Sequence, residues 1–367
     1  MRLSAAAVSV CAIAAFAGLA DAKPRAKPAA PTKPAAASKA APKPAKARPV
    51  PVLAGVDVFG SHKVSAQDVI DAAGLQLGTP APLDDAFMAP TKEAKARIQA
   101  KFDLALVSIS PISYFAGPDA GKTFVTIDLV DRGDEARMAF APAPTGSIAD
   151  PDGMVAEWIA SEEKAYDLLG KGELDVGKCK GGFHCALGFG NPAIAGVEDK
   201  FIAEVPTHFK ALCDLLRHDR DAKRRAAAAF LLAYGSDRDR VVAALVPSID
   251  DPDSDVRNNV MRVLVMIQKD ATEPVIPLAP VLHALHFPET TDRNKAGFAL
   301  EFLAQRAPDR FRRQILAEVG DVLVEMAALS QPNNREPAVA TLTALAGKDL
   351  GSAAAWRAWV DEQRKMK

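Results

Sequence analysis

The sequence predicts an α-helical solenoid of about four helix pairs, preceded by a small α+β domain of order β-α-α-β-β and a disordered tether. Three observations carry this. Asp250–Gln268, DDPDSDVRNNVMRVLVMIQ, has the form of one capped amphipathic helix. Looser copies of it recur downstream and upstream. Between Val52 and Val130, by contrast, two stretches alternate with a strand period and close on a third.

In the best copy, Asp253, Ser254 and Asp255 offer acceptors to the orphan N–H groups of a helix start, and Pro252 stops the preceding segment. Val256, Val260, Val263, Leu264 and Ile267 then fall on one face. A helix of about 14 residues cannot bury such a face alone, so it needs copies alongside. Arg257 is followed seven residues later by Leu264, Arg224 by Leu231 and Arg335 by Leu342, with Lys295 and Phe302 as a looser fourth pair. The anchors at 224, 257, 295 and 335 lie 33, 38 and 40 residues apart. Second helical patterns separate them at Asp237–Ile249, Glu273–His286, Phe311–Leu329 and Ser352–Gln363, punctuated by Gly235, Pro288, Pro308, Pro332 and Gly347. Two helices in such a period is the mark of a helical solenoid.

The Asp turn followed by Val256-Arg257 resembles HEAT repeats, and DDPDSDVRNNVMRVL carries the resemblance best. It covers residues 198–367, with Arg224, Asp253, Asp255, Arg257 and Arg335 as the repeat-defining positions. The resemblance implies stacked helix pairs that expose an extended concave surface to a protein partner. With the second helices expected to line it, the candidate contacts are Arg238, Arg240, His283, His286 and Arg312. Trp356, Trp359 and Val360, at i, i+3 and i+4, are expected to seal the last repeat.

From the N-terminus, residues 1–22 read as a secretory signal peptide: one early cation, an apolar Ala/Val/Leu core and a small-residue site at Ala20-Asp21-Ala22. An uncleaved anchor is the other reading, although the run barely reaches spanning length. Val10 ahead of Cys11 argues against a lipoprotein site. Residues 23–51 are almost wholly Pro, Ala and Lys, which bury nothing and stay extended. This tether carries eight cations and no acid, leaving a charge of −9 to the rest of a chain whose net charge is −1. A basic tether on an acidic body suits contact with an anionic envelope surface, or serves only as a solubilising linker. Nucleic acid is not expected, since no aromatics interleave the cations. No transmembrane span is expected in the mature chain.

Residues 52–135 form the α+β unit: a strand at Val52–Phe59, a helix at Ser65–Ala73, a second at Thr91–Phe102, and strands at Leu104–Ile112 and Thr123–Val130. Val56-Asp-Val-Phe-Gly60, the Gly74…Gly78 step and Thr126-Ile-Asp-Leu-Val130 resemble a POTRA domain, an exported bacterial envelope module that recruits polypeptides. That resemblance implies strand addition at a free sheet edge, on Val52–Phe59 or Leu104–Ile112, and a unit that folds apart from the solenoid. Ala116-Gly-Pro-Asp-Ala-Gly121-Lys122-Thr123 imitates a phosphate-binding loop, but the stretch from Thr123 onward alternates as a strand, so a hairpin loop accounts for it.

Residues 136–197 read as a linker, with Pro142–Asp150 unable to pair its backbone, then a helix at Met154–Leu169 ended by Gly170, then a cysteine loop. Cys179 and Cys185 straddle Gly181-Gly182, which suits a short disulfide in an oxidising compartment. A bridge to Cys213, or a metal held with His184, are the other readings; Cys213 otherwise stays a buried free thiol. HALH at 283–286 lacks the Glu and spacing of a zinc-hydrolase helix, and Asp251-x-Asp253-x-Asp255 lacks the Gly and Glu of a calcium loop. No catalytic residue, cofactor or metal is therefore expected. The functional expectation is an exported periplasmic or envelope adaptor for protein partners. The alternative is a HEAT-type lyase or enzyme accessory handling a small ligand or prosthetic group, and a third is a bare spacer.

Overall fold

The computed structural model describes residues 50–82, 85–115, 117–174 and 179–366. The expected signal peptide, and the tether up to residue 49, lie outside them.

The α+β unit has the expected order: β1 (Val52–Phe59), α1 (Ala66–Ala73), α2 (Asp85–Lys101), β2 (Leu104–Tyr114) and β3 (Lys122–Asp131). Ser65 caps α1 by accepting from Asp68 N, and left-handed Gly74 ends it. α2 starts at Asp85 rather than Thr91 and carries Pro90 inside, a proline that forfeits one backbone bond. The sheet order is β1-β3-β2, with β1 parallel and β2 antiparallel to the central β3. The phosphate-loop look-alike is the β2–β3 connection, and a strand comes after it.

One face of the sheet, through Leu53, Val107, Val125, Ile127 and Leu129, packs on Val69, Ala73, Ala94 and Ile98 of its own two helices. The expected unit ends there; the observed one does not. Its second face is buried as well, against the helical stack.

Among the described residues, that stack is built from ten α-helices. α3 (Met154–Lys171), α5 (Ala222–Leu231), α7 (Ser254–Asp270), α9 (Thr290–Arg306) and α11 (Pro332–Ala346) pack side by side in one row. α4 (Val197–His218), α6 (Arg238–Leu245), α8 (Leu278–Ala284), α10 (Pro308–Ala327) and α12 (Ala353–Lys365) form a second row against it. α3 runs to Gly172, not Gly170, and packs on α5, so the stack begins well before residue 198. At the other end Trp356 is buried and meets Trp359 edge-on at 5.9 Å, as the aromatic seal requires.

The inner-row helices share a local rule. Asp221, Asp253, Glu289 and Gln331 stand at the cap positions, and an arginine stands four residues after each: Arg225, Arg257, Arg293 and Arg335. Each guanidinium donates back across the turn, to the carbonyls of Asp219, Asp251, Pro288 and Ser330 at 2.8–3.0 Å. Seven residues after each arginine stands a fully buried leucine: Leu232, Leu264, Leu300 and Leu342. The expected anchors Arg224 and Lys295 are thus one and two positions out of register. Arg224, beside the true anchor, turns outward to Asp219 and the carbonyl of Ile148, and Lys295 donates to Asn294.

Three of these arginines also reach forward. Arg225 grips Asp251 through two bonds of 2.9 and 2.7 Å, ahead of α7. Arg257 grips Asp292 on α9 at 3.0 and 2.7 Å. Arg293 reaches into the sheet instead of toward α11, to Asp128 of β3 at 2.5 Å, with both side chains wholly buried. Burial pushes Asp128 and Asp292 up to about 6 despite the guanidinium beside each.

Around that rung the sheet's second face is tied to the helix starts. The Asp57 carboxylate accepts from Ser330 N, Ser330 Oγ and Gln331 N at 2.8–3.0 Å, capping α11 from another part of the chain. Asn333 N donates to Tyr114 Oη, and Gly60 N to Glu325. Gly55 has no Cβ because Ser330 occupies that space. The Arg293 guanidinium lies 3.7 Å over Phe59.

Residues 136–153 are likewise held, contrary to the expectation of a backbone that cannot pair. They run back along the turns of the inner row. Arg137 donates to the carbonyls of His286 and Gly60, Phe140 lies under the Arg257 guanidinium at 3.9 Å, and Ala141 N donates to Asp250 O. Gly146 exchanges backbone bonds with His218 and Arg220, and Asp150 caps α3 through Val155 N and Ala156 N.

The last rung yields a stability test. Asp128→Ala and Arg293→Ala should each cost about 3–5 kcal/mol, because either strands a buried charge. Asp128→Leu combined with Arg293→Met should recover most of that loss. The urea midpoint, read for all three variants, decides it; equal losses in the single and double variants would refute the pairing account.

Candidate functional site

Successive inner-row helices pack directly on one another along the whole row, whereas in the outer row this holds mainly from α8 to α12. The closer packing of the inner row makes its free side the candidate groove of the stack. Helix geometry says which residues face it. With the core at Val260, Leu264 and their equivalents, the opposite face lies five, nine and twelve residues after each cap. Those positions hold Asn258, Arg262 and Val265 on α7, Asn294, Phe298 and Glu301 on α9, and Ala226 and Phe230 on α5 with Ala233 just past its end; Asn258, Arg262 and Glu301 are part-exposed and the others buried.

The groove is polar, crowded and electrostatically perturbed. Glu162 of α3 is pushed up to about 7 by burial, against the pull of Arg262 and Lys223. Glu301 is pushed to about 7 by burial, with Glu336 of α11 adding to it and a bond from Gln305 opposing. Burial also raises Glu336. Arg262 acts on Glu162, and Arg262 with the buried Lys295 acts on His184. Glu162 and Glu301, raised to about 7, can both accept and donate in contacts with a bound segment.

The cysteine loop closes one end of the groove. His184 lies against the Phe230 ring at 5.6 Å. Burial, then Arg262 and Lys295, press its imidazole down to about 3, so it is neutral. Cys179 and Cys185 are joined as a disulfide, with Cα atoms 6.2 Å apart, and Cys213 is a half-buried free thiol raised by burial. The reading of a metal held with His184 is not what the geometry offers: the ring is turned to Phe230, and the acid nearest both sulfurs is Glu198.

The sequence-derived contact residues lie elsewhere. Arg238 pairs with Asp239, and Arg240 stacks over Phe209 at 4.5 Å. His283 stands edge-on to Phe287 at 5.0 Å. His286 is lowered by burial and by Arg137, and Arg312 closes the end of α11 through Leu345 O. All five belong to the outer row or its turns. The capped helices, not the second helices, line the groove. Glu162, Arg262, Lys295 and Glu301 could have been found in the sequence as polar residues on the side of an inner helix opposite its apolar stripe, once the row had been assigned correctly.

A family model for HEAT repeats matches residues 209–319. The matched stretch is HEAT-like. It runs from within α4 to within α10 and includes Arg225, Arg257 and Arg293, three of the four arginines that stand after caps. No curated protein matches the chain. Among the described residues, no helix is long and apolar enough to cross a membrane.

The raised carboxyls give a pH dependence with a definite sign. A carboxyl whose folded value lies above its unfolded one adds stability below the unfolded value and loses it as pH rises through the folded value. Between pH 6 and 8 the wild type should lose stability, by as much as a few kcal/mol at about 1.4 kcal/mol per pH unit of displacement. Glu162→Gln with Glu301→Gln should flatten that loss in thermal melts. An unchanged slope would contradict the burial of these groups.

Proposed function

We propose that this protein is an exported, non-enzymatic adaptor of the periplasm or cell envelope that holds a protein segment in the groove of its HEAT-like stack. One observation carries the reading: five helices stand side by side, with the part-buried Glu162, Arg262 and Glu301 on the inner row. HEAT repeats commonly mediate protein interactions, and the matched repeats supply most of that row. The part-exposed charges of that row would select a segment of complementary charge.

The sheet supplies a second contact. Residues 78–81 pair with the start of β1, whereas among the described residues β2 has only β3 beside it in the sheet. Its outer edge suits addition of an extended strand, the mode that the POTRA-like order implies. The basic tether would lean on an anionic envelope surface while the folded body engages its partner.

A second reading has its own support. A narrow cleft lies between α3 and residues 186–194, lined by Trp158, Glu162, Leu187 and Phe189 among others. Its lining is mostly apolar with one carboxyl, the chemistry an enzyme accessory would need, although the cleft would have to open to admit a small ligand.

Co-isolation from envelope fractions with mass spectrometry separates these readings. Arg262→Ala with Glu301→Gln should lose a partner that the wild type retains, while the outer-row pair Arg238→Ala with Arg312→Ala should keep it. Retention by the groove variant, with loss by the outer-row variant, would overturn the proposed surface.

A further inference from the structure

We propose that the loop bearing Cys179 and Cys185 is a redox-gated site for a thiophilic divalent cation of the zinc class. In the reduced form its two thiolates and the Glu198 carboxylate hold the ion; in the oxidised form the same two sulfurs make the disulfide and release it.

The geometry is a three-donor cluster. One donor atom from each of Cys179, Cys185 and Glu198 lies within 4.8 Å of the other two. Zinc takes sulfur at about 2.3 Å and carboxylate oxygen at about 2.0–2.2 Å, which sets tetrahedral donor separations of roughly 3.5–4 Å. Once the bond between them is broken the two sulfurs need separate by only about 2 Å to reach that spacing, with the Glu198 oxygen already beside them. Two thiolates with one carboxylate select zinc over magnesium or calcium.

Glu198 supplies the independent observation. It is wholly buried in the first turn of α4. Its Oε1 accepts from Lys180 N at 2.8 Å and, at 3.4 Å, from Gly181 N and Tyr234 Oη. Its Oε2 is buried without a hydrogen-bond partner among the described residues. A buried carboxylate oxygen left unmatched is costly, and a cation shared with two adjacent thiolates would match it.

The loop does not need its bridge to stay in place. Lys180 N is held by Glu198, Lys180 Nζ by Asp199, and Phe183 N by Ala233 O at 2.8 Å. Gly182 lies against Tyr234 in a left-handed conformation that a side chain would disturb. Breaking the disulfide therefore leaves both sulfurs near Glu198. Cys179 is exposed, which admits both the ion and an exchanging thiol, and leaves the fourth coordination position to solvent.

The exchange balances. The zinc-bound dithiolate and one small-molecule disulfide give the protein disulfide, two small-molecule thiolates and free Zn²⁺; two electrons pass from the protein sulfurs to the small disulfide. The reverse consumes two small thiols and Zn²⁺, and releases two protons with the small disulfide.

The test uses the full chain, reduced, freed of reductant without air and titrated with Co²⁺. The expected result is one equivalent bound, with thiolate-to-cobalt charge transfer that Zn²⁺ bleaches. Oxidised glutathione should then release the zinc stoichiometrically to a chromophoric chelator. Glu198→Gln keeps an acceptor for Lys180 and should weaken cobalt binding at least tenfold while both thiols still titrate. Absence of thiolate charge transfer in the reduced wild type would overturn the proposal. So would zinc retained after oxidation, or undiminished affinity in Glu198→Gln.

Discussion

Every inner helix from α5 to α9 hands a buried arginine to a carboxylate outside itself, and the last of these carboxylates belongs to the sheet. The series Arg225–Asp251, Arg257–Asp292 and Arg293–Asp128 is the constraint on which the rest of the structure depends. Such pairs add little net stability over well-packed apolar groups, since desolvation offsets much of their attraction. What they impose is register. A helix shifted by one residue would leave an arginine and a carboxylate buried and unmatched, so only one stacking satisfies the whole series. Carried to Asp128, the same constraint sets the sheet on the helix starts, where Asp57 and Tyr114 then find their partners.

This explains why the two parts are packed together and why the chain between them is held. Residues 136–153 lie in the line of turns that the arginines create, so that Phe140 stacks on Arg257 and Ile148 bonds to Asp219. The groove has its origin in the same arrangement. Close contact along the inner row brings its helices together, and the part-buried Glu162 and Glu301 with their raised carboxyls are its main electrostatic feature.

Much of this was legible in the sequence, and the misses have physical causes. The capped helix at residue 253, the breaks between helices, the order of the α+β unit and the pairing of Cys179 with Cys185 were readable because local chemistry decides them: caps, prolines, alternation and short spacing. Register was readable only in part. Arg224 and Arg225 are adjacent, and period alone cannot say which of them turns inward. At residues 293–295 an Arg-Asn-Lys run poses the same problem. The second face of the sheet was hidden because β3 is buried on both sides, and Asp128 in a run of apolar residues reads as solvent-facing until Arg293 is placed beside it. The groove residues escape a reading that puts the second helices on the concave side. Which row is inner depends on contacts between repeats, which no single repeat encodes. Glu198, eighteen residues beyond Lys180, carries no local signal that it meets the cysteine loop.

Native-state hydrogen exchange on the full chain tests the central claim most directly. If the arginine series binds sheet and stack into one cooperative unit, amides of β3 and of α9 should open together, with the same high free energy and the same denaturant dependence. Exchange of the whole sheet at a much lower free energy than α9 would contradict the account and make the α+β unit a separable module.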